Sequence, residues 1–203
     1  MKSYTITPVH TGSPVWTEVP SLQVDNVQWL PDAGIRMQQQ MCYDEENLYV
    51  RQQAWETNIR AEKNGYLQQV CEDSCMEFFF APSKDGRYFN MEINPNGCIH
   101  LGFGPGRHGR VQVVPKQMEA LFDVKAARTA DGWTLTYRIP LSFLQLFFPD
   151  YSYHPGTVLR GNCYKCGDLT VQPHYVTWNP VTSETPDYHR PQDFGILRLE
   201  SEQ

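Results

Sequence analysis

The sequence has little of what nucleic-acid and membrane proteins rely on. Lysine and arginine number 17 against 23 aspartates and glutamates, which leaves the 203-residue chain at a net charge of −6. With no basic excess, it lacks the electrostatic footprint of a DNA- or RNA-binding surface, and no nucleic-acid partner is expected. It also lacks an apolar run of about 18 residues, the minimum for a membrane-spanning helix. The longest greasy stretch, Leu141–Phe148, is broken by Ser142 and Gln145, so no membrane partner is expected. The opening segment Met1–Pro8 has no apolar core of the secretory type, which predicts a cytoplasmic protein. Its six cysteines are then expected to be thiols. Disorder is excluded in turn, because aromatics make up 13% of the chain.

What the sequence does have is alternation. Trp133–Ile139 switches between large apolar and polar residues along its whole length, the pattern of a half-buried strand. Asp131-Gly132 before it is a hairpin signal, predicting that Leu121–Arg128 pairs antiparallel with it. Arg87–Asn94 places Phe89, Met91 and Ile93 on one face and Tyr88, Asn90, Glu92 and Asn94 on the other. Ile35–Tyr43, Leu48–Trp55 and Val158–Tyr164 read the same way. One short helix is expected over Leu141–Phe147, with Ser142 placed to cap it. Strands separated by Gly, Pro and Asn turns predict an all-β antiparallel β-sandwich, with residues 1–203 as a single domain. The proline-rich segment Trp178–Pro191 reads as a long loop of the kind that carries function.

Cys71/Cys75 and Cys163/Cys166 resemble a four-thiolate zinc pattern in spacing only. On a strand, residues four apart lie roughly 13 Å from each other and residues three apart face opposite ways. Neither pair contains the Gly or Pro of a knuckle turn, so no metal site is expected and the cysteines read as small buried hydrophobes. Gly102–Arg110 is glycine-rich but lacks the Lys-Ser/Thr of a phosphate loop. It reads as a flexible hairpin loop whose positive charge could touch an anionic substituent.

The polar faces of the strands are unusual. They offer Arg36/Gln38/Gln40, Tyr49/Arg51/Gln53/Trp55, Tyr88/Asn90/Glu92/Asn94 and Arg160/Asn162/Tyr164, with hardly a lysine among them. Amides and guanidinium groups match vicinal hydroxyls, and flat rings match the C–H faces of sugars. The same residues would also serve as cross-strand pairs or as supports under loops.

Longer segments resemble a known family. Cys71–Phe79, Gly86–Gly97, Trp133–Pro140 and Arg160–Asp168 carry the resemblance, together with the ending Pro173–Trp178 and Tyr188–Gly195. In this order, over about residues 40–199, they are similar to the carbohydrate-binding family 9-like domains, relatives of carbohydrate-binding module family 9. The resemblance implies a jelly-roll-like sandwich that grips a sugar between two aromatic side chains, flanked by polar groups. One clamp position falls at Val70 or Cys71, where no aromatic stands; the other falls at Tyr188. The family's acidic partner corresponds to Glu77, and its basic partner falls near Asn90. Trp55 and Trp178 are candidates for the missing wall. No cofactor is expected from the residues themselves; the resemblance leaves calcium open, but the module's calcium sites have no recognisable counterpart here.

The expected function is non-catalytic binding of a mono- or oligosaccharide. Tyr188 is assigned as the stacker, His189 and Arg190 as loop donors, and Glu77 and Asn90 as hydroxyl partners. Trp133 reads as core and His174 as a structural histidine, while Trp55, Tyr88 and Tyr164 remain available to a ligand beside Tyr188. Two alternatives are carried: a glycoside hydrolase using Glu77 and Glu92, and a haem-binding sandwich domain using Met and His.

Overall fold

Five alternating segments of the sequence are strands in the computed structural model, which describes residues 1–9 and 14–200. The first strands are β1 (Ser3–Pro8), β2 (Ser21–Val24), β3 (Asn26–Val27), β4 (Arg36–Tyr43) and β5 (Asn47–Trp55). A 3₁₀ turn, Val70–Glu72, leads into β6 (Cys75–Ala81), β7 (Tyr88–Ile93), β8 (Ile99–Gly104) and β9 (Val111–Gln112). Helix α1 (Met118–Phe122) then precedes β10 (Lys125–Arg128) and β11 (Gly132–Pro140). Helix α2 (Leu141–Leu144), β12 (Val158–Cys166), β13 (Tyr175–Thr177) and β14 (Gly195–Leu199) follow.

The strands form one curled, mixed sheet in the order β10-β11-β5-β4-β1-β14-β12-β6-β7-β8-β9. The expectation of purely antiparallel pairing fails at β1. Its residues Ser3–Ile6 run parallel to Ile196–Leu199 of β14, and Thr7 and Pro8 run parallel to Cys42 and Tyr43 of β4. A single strand thus belongs to both halves of the sheet and ties them together. The halves close over one core, where Met76, Phe78 and Phe80 of β6 share a cluster with Leu48 and Val50 of β5 and with Trp133 and Leu135 of β11. Each such buried side chain contributes roughly 1.5–3 kcal/mol. Trp133 is in this core, as its alternation predicts.

Several local expectations shift. The hairpin partner of β11 is only Lys125–Arg128, because Met118–Phe122 turns into helix α1 and buries Met118 and Phe122. Helix α2 is shorter than Leu141–Phe147, and the Ser142 side chain does not cap it. Instead Pro140 enters in extended conformation and the Leu141 N–H donates to the Glu46 carbonyl at 2.7 Å. No helix among the described residues is long and apolar enough to cross a membrane.

The four polar rows divide between the two halves of the sheet. On β4 and β5, Arg51 donates to Gln40 Oε1 at 2.9 Å, and Gln38 meets Gln53 across the strands, so these groups satisfy each other. On β7 and β12 the rows are covered by chain. Asn162 donates to the Asn179 carbonyl at 2.8 Å, the Tyr164 hydroxyl to the Tyr188 carbonyl at 3.2 Å, and Arg160 to the Phe194 carbonyl at 2.7 Å. These bonds lash the segment after β13 onto the sheet, so β7 and β8 are buried on both faces. That cover explains the scarcity of lysine there, since a row with no solvent face has no place for an unpaired ammonium.

Candidate functional site

Strand register builds the floor of a site. Glu77 of β6 lies opposite Glu92 of β7, and Glu92 lies opposite His100 of β8. Tyr164 of β12 flanks Glu77 on the other side. Period-two alternation puts all four on the face turned away from the main core. The covering chain leaves a cavity of about 200 Å³ above this row, lined in part by the segment 186–189 and by Arg107 and Arg110 of the loop between β8 and β9.

The walls come from distant parts of the sequence. Tyr188 stacks on Tyr164 with ring centroids 4.0 Å apart and planes 8° from parallel. Trp29 and Tyr175 close on Tyr188 with centroid distances of 5.5 and 6.1 Å. Trp29 is held at a left-handed φ of 61°, with Leu30 N–H donating to the Gln28 carbonyl at 2.7 Å, a strained three-residue turn that aims the indole at the cavity. Opposite, Arg107 donates to Asp187 at 2.9 Å, and Asp187 in turn accepts from the His189 N–H at 3.0 Å. Arg110 lies with Nη1 2.7 Å from His189 Nδ1, and the Tyr88 hydroxyl is 2.8 Å from the same nitrogen.

The electrostatics are those of a desolvated polar pocket. Burial raises the Glu77 pKa well above the usual carboxylate range, and the facing charge of Glu92 adds to the rise. Burial also raises Glu92 and Asp168. His189 is pushed down to about 2 by burial and by the Arg110 guanidinium, so it is a neutral ring at any ordinary pH. A carboxyl group accepts hydrogen bonds in either form and donates one when protonated, as a sugar hydroxyl can do both. Glu77 and Glu92 stand side by side on one floor, whereas hydrolysis needs two carboxyl groups flanking a bond. Among the described residues, the lining includes His100 and His189 and no methionine.

Of the residues assigned from sequence, Glu77, Tyr188 and His189 line this cavity. The other four do not. Asn90 is fully enclosed, donates to Glu92 Oε1 at 2.8 Å and only supports the site from behind. Arg190 points away from the cavity, toward Asp193 at 3.9 Å. Trp178 belongs to the main core, where its ring presses on Gly195. Trp55 sits on β5, in the other half of the sheet, opposite Gly132. Tyr88 and Tyr164 are buried supports and present no free ring. At the vacant clamp position Val70 is buried, while Cys71 reaches the cavity wall.

Sequence reasoning missed Trp29, Tyr175, His100, Asp168, Arg107 and Arg110. The two arginines carried a signal, the local charge of the Gly102–Arg110 loop; Trp29 lies outside every alternating segment and carried none. Among possible metal ligands, Cys75, Glu77 and Cys166 place their donor atoms within 4.8 Å of one another. The four-thiolate pattern fails, because Cys163 faces the main core and Cys166 the opposite side. All six cysteines are free.

The architecture is a curled β-structure with a small, aromatic-walled polar cavity on one sheet face. The chain belongs to the carbohydrate-binding family 9, whose profile matches residues 15–199. No protein of curated function matches it. Among solved structures it resembles a putative carbohydrate-binding protein from Bacteroides uniformis ATCC 8492, with 26% identity and a TM-score of 0.84. That match covers 98% of this chain and 99% of the other. The fold also matches a carbohydrate-binding module of family 9 from Caldicellulosiruptor kristjanssonii, solved with glucose and with cellotriose. There the identity is 14% and the TM-score 0.69, over all of this chain and 97% or 95% of the module.

Proposed function

We propose that the cavity binds one sugar residue non-covalently, without making or breaking a bond. The observation that carries this reading is the pairing of an aromatic wall at Tyr188 with a buried row of carboxyl groups inside a space of about 200 Å³. That volume suits a single ring rather than a chain segment. Tyr188 offers the C–H faces of the ring a stacking surface worth on the order of 1 kcal/mol, with Trp29 and Tyr175 beside it. Glu77, Glu92 and Asp168 meet hydroxyls from below, and the Arg107 and Arg110 guanidinium groups meet them from the loop side. The family is a carbohydrate-binding one, and its members solved with glucose and cellotriose support a saccharide ligand.

One such site gives a Kd of roughly micromolar to millimolar. Calorimetric titration with glucose, xylose, galactose and cello-oligosaccharides tests it, with aryl-glycosides showing no turnover. Tyr188→Phe retains the stack on Tyr164 and is expected to bind sugar within a few-fold of wild type. Tyr188→Ala is expected to lose binding and also to lose about 3–5 kcal/mol of stability, since the ring is nearly buried. A wild-type protein that binds no sugar overturns the reading.

A further inference from the structure

The floor of the cavity holds two thiols that sugar recognition does not use, beside a carboxyl group that it does. Cys75 and Cys166 face each other across the β6–β12 pair, and Glu77 is two residues along β6 on the same face. The two sulfurs and a Glu77 carboxylate oxygen lie within 4.8 Å of one another, and the Cys166 thiol donates to Glu77 Oε1 at 2.9 Å. All three residues are buried, and Cys166 and Glu77 also line the cavity, which provides a route inward.

A tetrahedral zinc ion takes sulfur at about 2.3 Å and oxygen at about 2.0–2.2 Å, which sets its donors about 3.5–3.8 Å apart. The triangle reaches that spacing if the Cys166–Glu77 pair opens slightly and the wider edges close by up to about 1 Å, within the range of side-chain rotation. Two thiolates and one carboxylate more than balance a divalent charge, and sulfur donors select zinc-like ions over calcium or magnesium. With three protein donors on the floor, the fourth direction is the cavity itself, the arrangement of zinc sites that keep one position open.

We propose that Cys75, Cys166 and Glu77 form a three-ligand site for a thiophilic divalent cation of the zinc class, with its fourth position facing the cavity. Cobalt(II) is the probe, because sulfur bound to cobalt gives a charge-transfer absorption in the near ultraviolet. Reduced, chelator-washed protein titrated with cobalt is expected to show this band, saturating at one ion per chain and vanishing when zinc is added. Cys166→Ser and Cys75→Ser should each lose most of the band, and Glu77→Gln should weaken binding while keeping it. Cys98→Ser, whose thiol contacts the Gly65 carbonyl elsewhere, should leave the titration unchanged. Circular dichroism of the metal-free variants separates a lost ligand from a lost fold; if Cys75→Ser does not fold, the cavity-facing Cys166→Ser decides. Absence of the band in wild type, or its survival in folded Cys166→Ser, overturns the proposal.

Discussion

At the scale of residues, Glu77 shows how a buried carboxyl group that lines a cavity can oppose stability. Burial and Glu92 raise its folded pKa above the ordinary 4.5, so the folded chain holds the proton more tightly than the unfolded one. The stability this contributes is complete below the unfolded pKa and is lost as pH rises through the folded pKa. Glu77→Gln removes that loss while keeping an oxygen for the Cys166 thiol. Thermal unfolding is expected to show the variant more stable than wild type at about pH 8, with the difference shrinking toward about pH 4. Its sugar affinity is expected to fall roughly five- to tenfold, as for one hydrogen bond of about 1 kcal/mol. Asn90 makes the complementary point. Its Oδ1 has no partner, and a Cβ added at Gly102 would stand 2.3 Å from it. Gly102→Ala therefore forces Asn90 off Glu92, and chemical denaturation should register a loss of about 1–3 kcal/mol together with weaker sugar binding.

At the scale of elements, the β8–β9 hairpin and the segment 182–190 close the cavity from two sides and meet at Arg107 and Asp187. Their side chains are 47% and 25% exposed, so the pair contributes at most about 1 kcal/mol to stability. Arg107→Ala should barely move the Tm and yet weaken sugar binding, read by calorimetry, because it frees the loop that carries His189. Elements were also where the sequence was most legible. The inward face of β7, Phe89, Met91 and Ile93, follows from alternation because one face of that strand meets the core and the pleat enforces a period of two. Leu121 and Phe122, expected to open the strand Leu121–Arg128, belong instead to a helix of five residues, too short to leave a pattern of its own. The site was half legible. Glu77, Tyr188 and His189 stand in family-like segments, but the meeting of Glu77 with Glu92 and His100 depends on strand register, which no spacing along the chain encodes. Trp29 reaches the cavity through a turn of unusual φ, invisible to any periodicity.

At the scale of the whole molecule, a buried ion pair links parts of both halves of the sheet. Lys165 of β12 lies 3.0 Å from the Glu56 carboxylate, which follows β5, and donates to His174 Nε2 at 2.7 Å. Glu56 also accepts from Ser74 at 2.6 Å and from the Trp133 indole at 3.4 Å. Lys165→Met would leave Glu56 charged and unpaired, at a cost of about 3–5 kcal/mol in chemical denaturation; adding Glu56→Gln should restore part of the loss. His174 is pushed down to about 4, first by burial and then by Lys165, so the stability tied to its neutral form is lost as pH falls from about 6.5 through about 4. The parallel strand β1 governs a different property, the order of assembly. Ser3 pairs with Ile196, so this contact closes a loop spanning nearly the full chain. At a synthesis rate of about 5–20 residues per second, roughly 10–40 s separate the emergence of the two partners from the ribosome. Until β14 arrives, Ser3–Ile6 has no ladder to join, and β1 cannot yet tie the two halves of the sheet together. Through that interval Ser3–Ile6 is an unpaired edge, and β14, made after every other strand described, is the one that closes it.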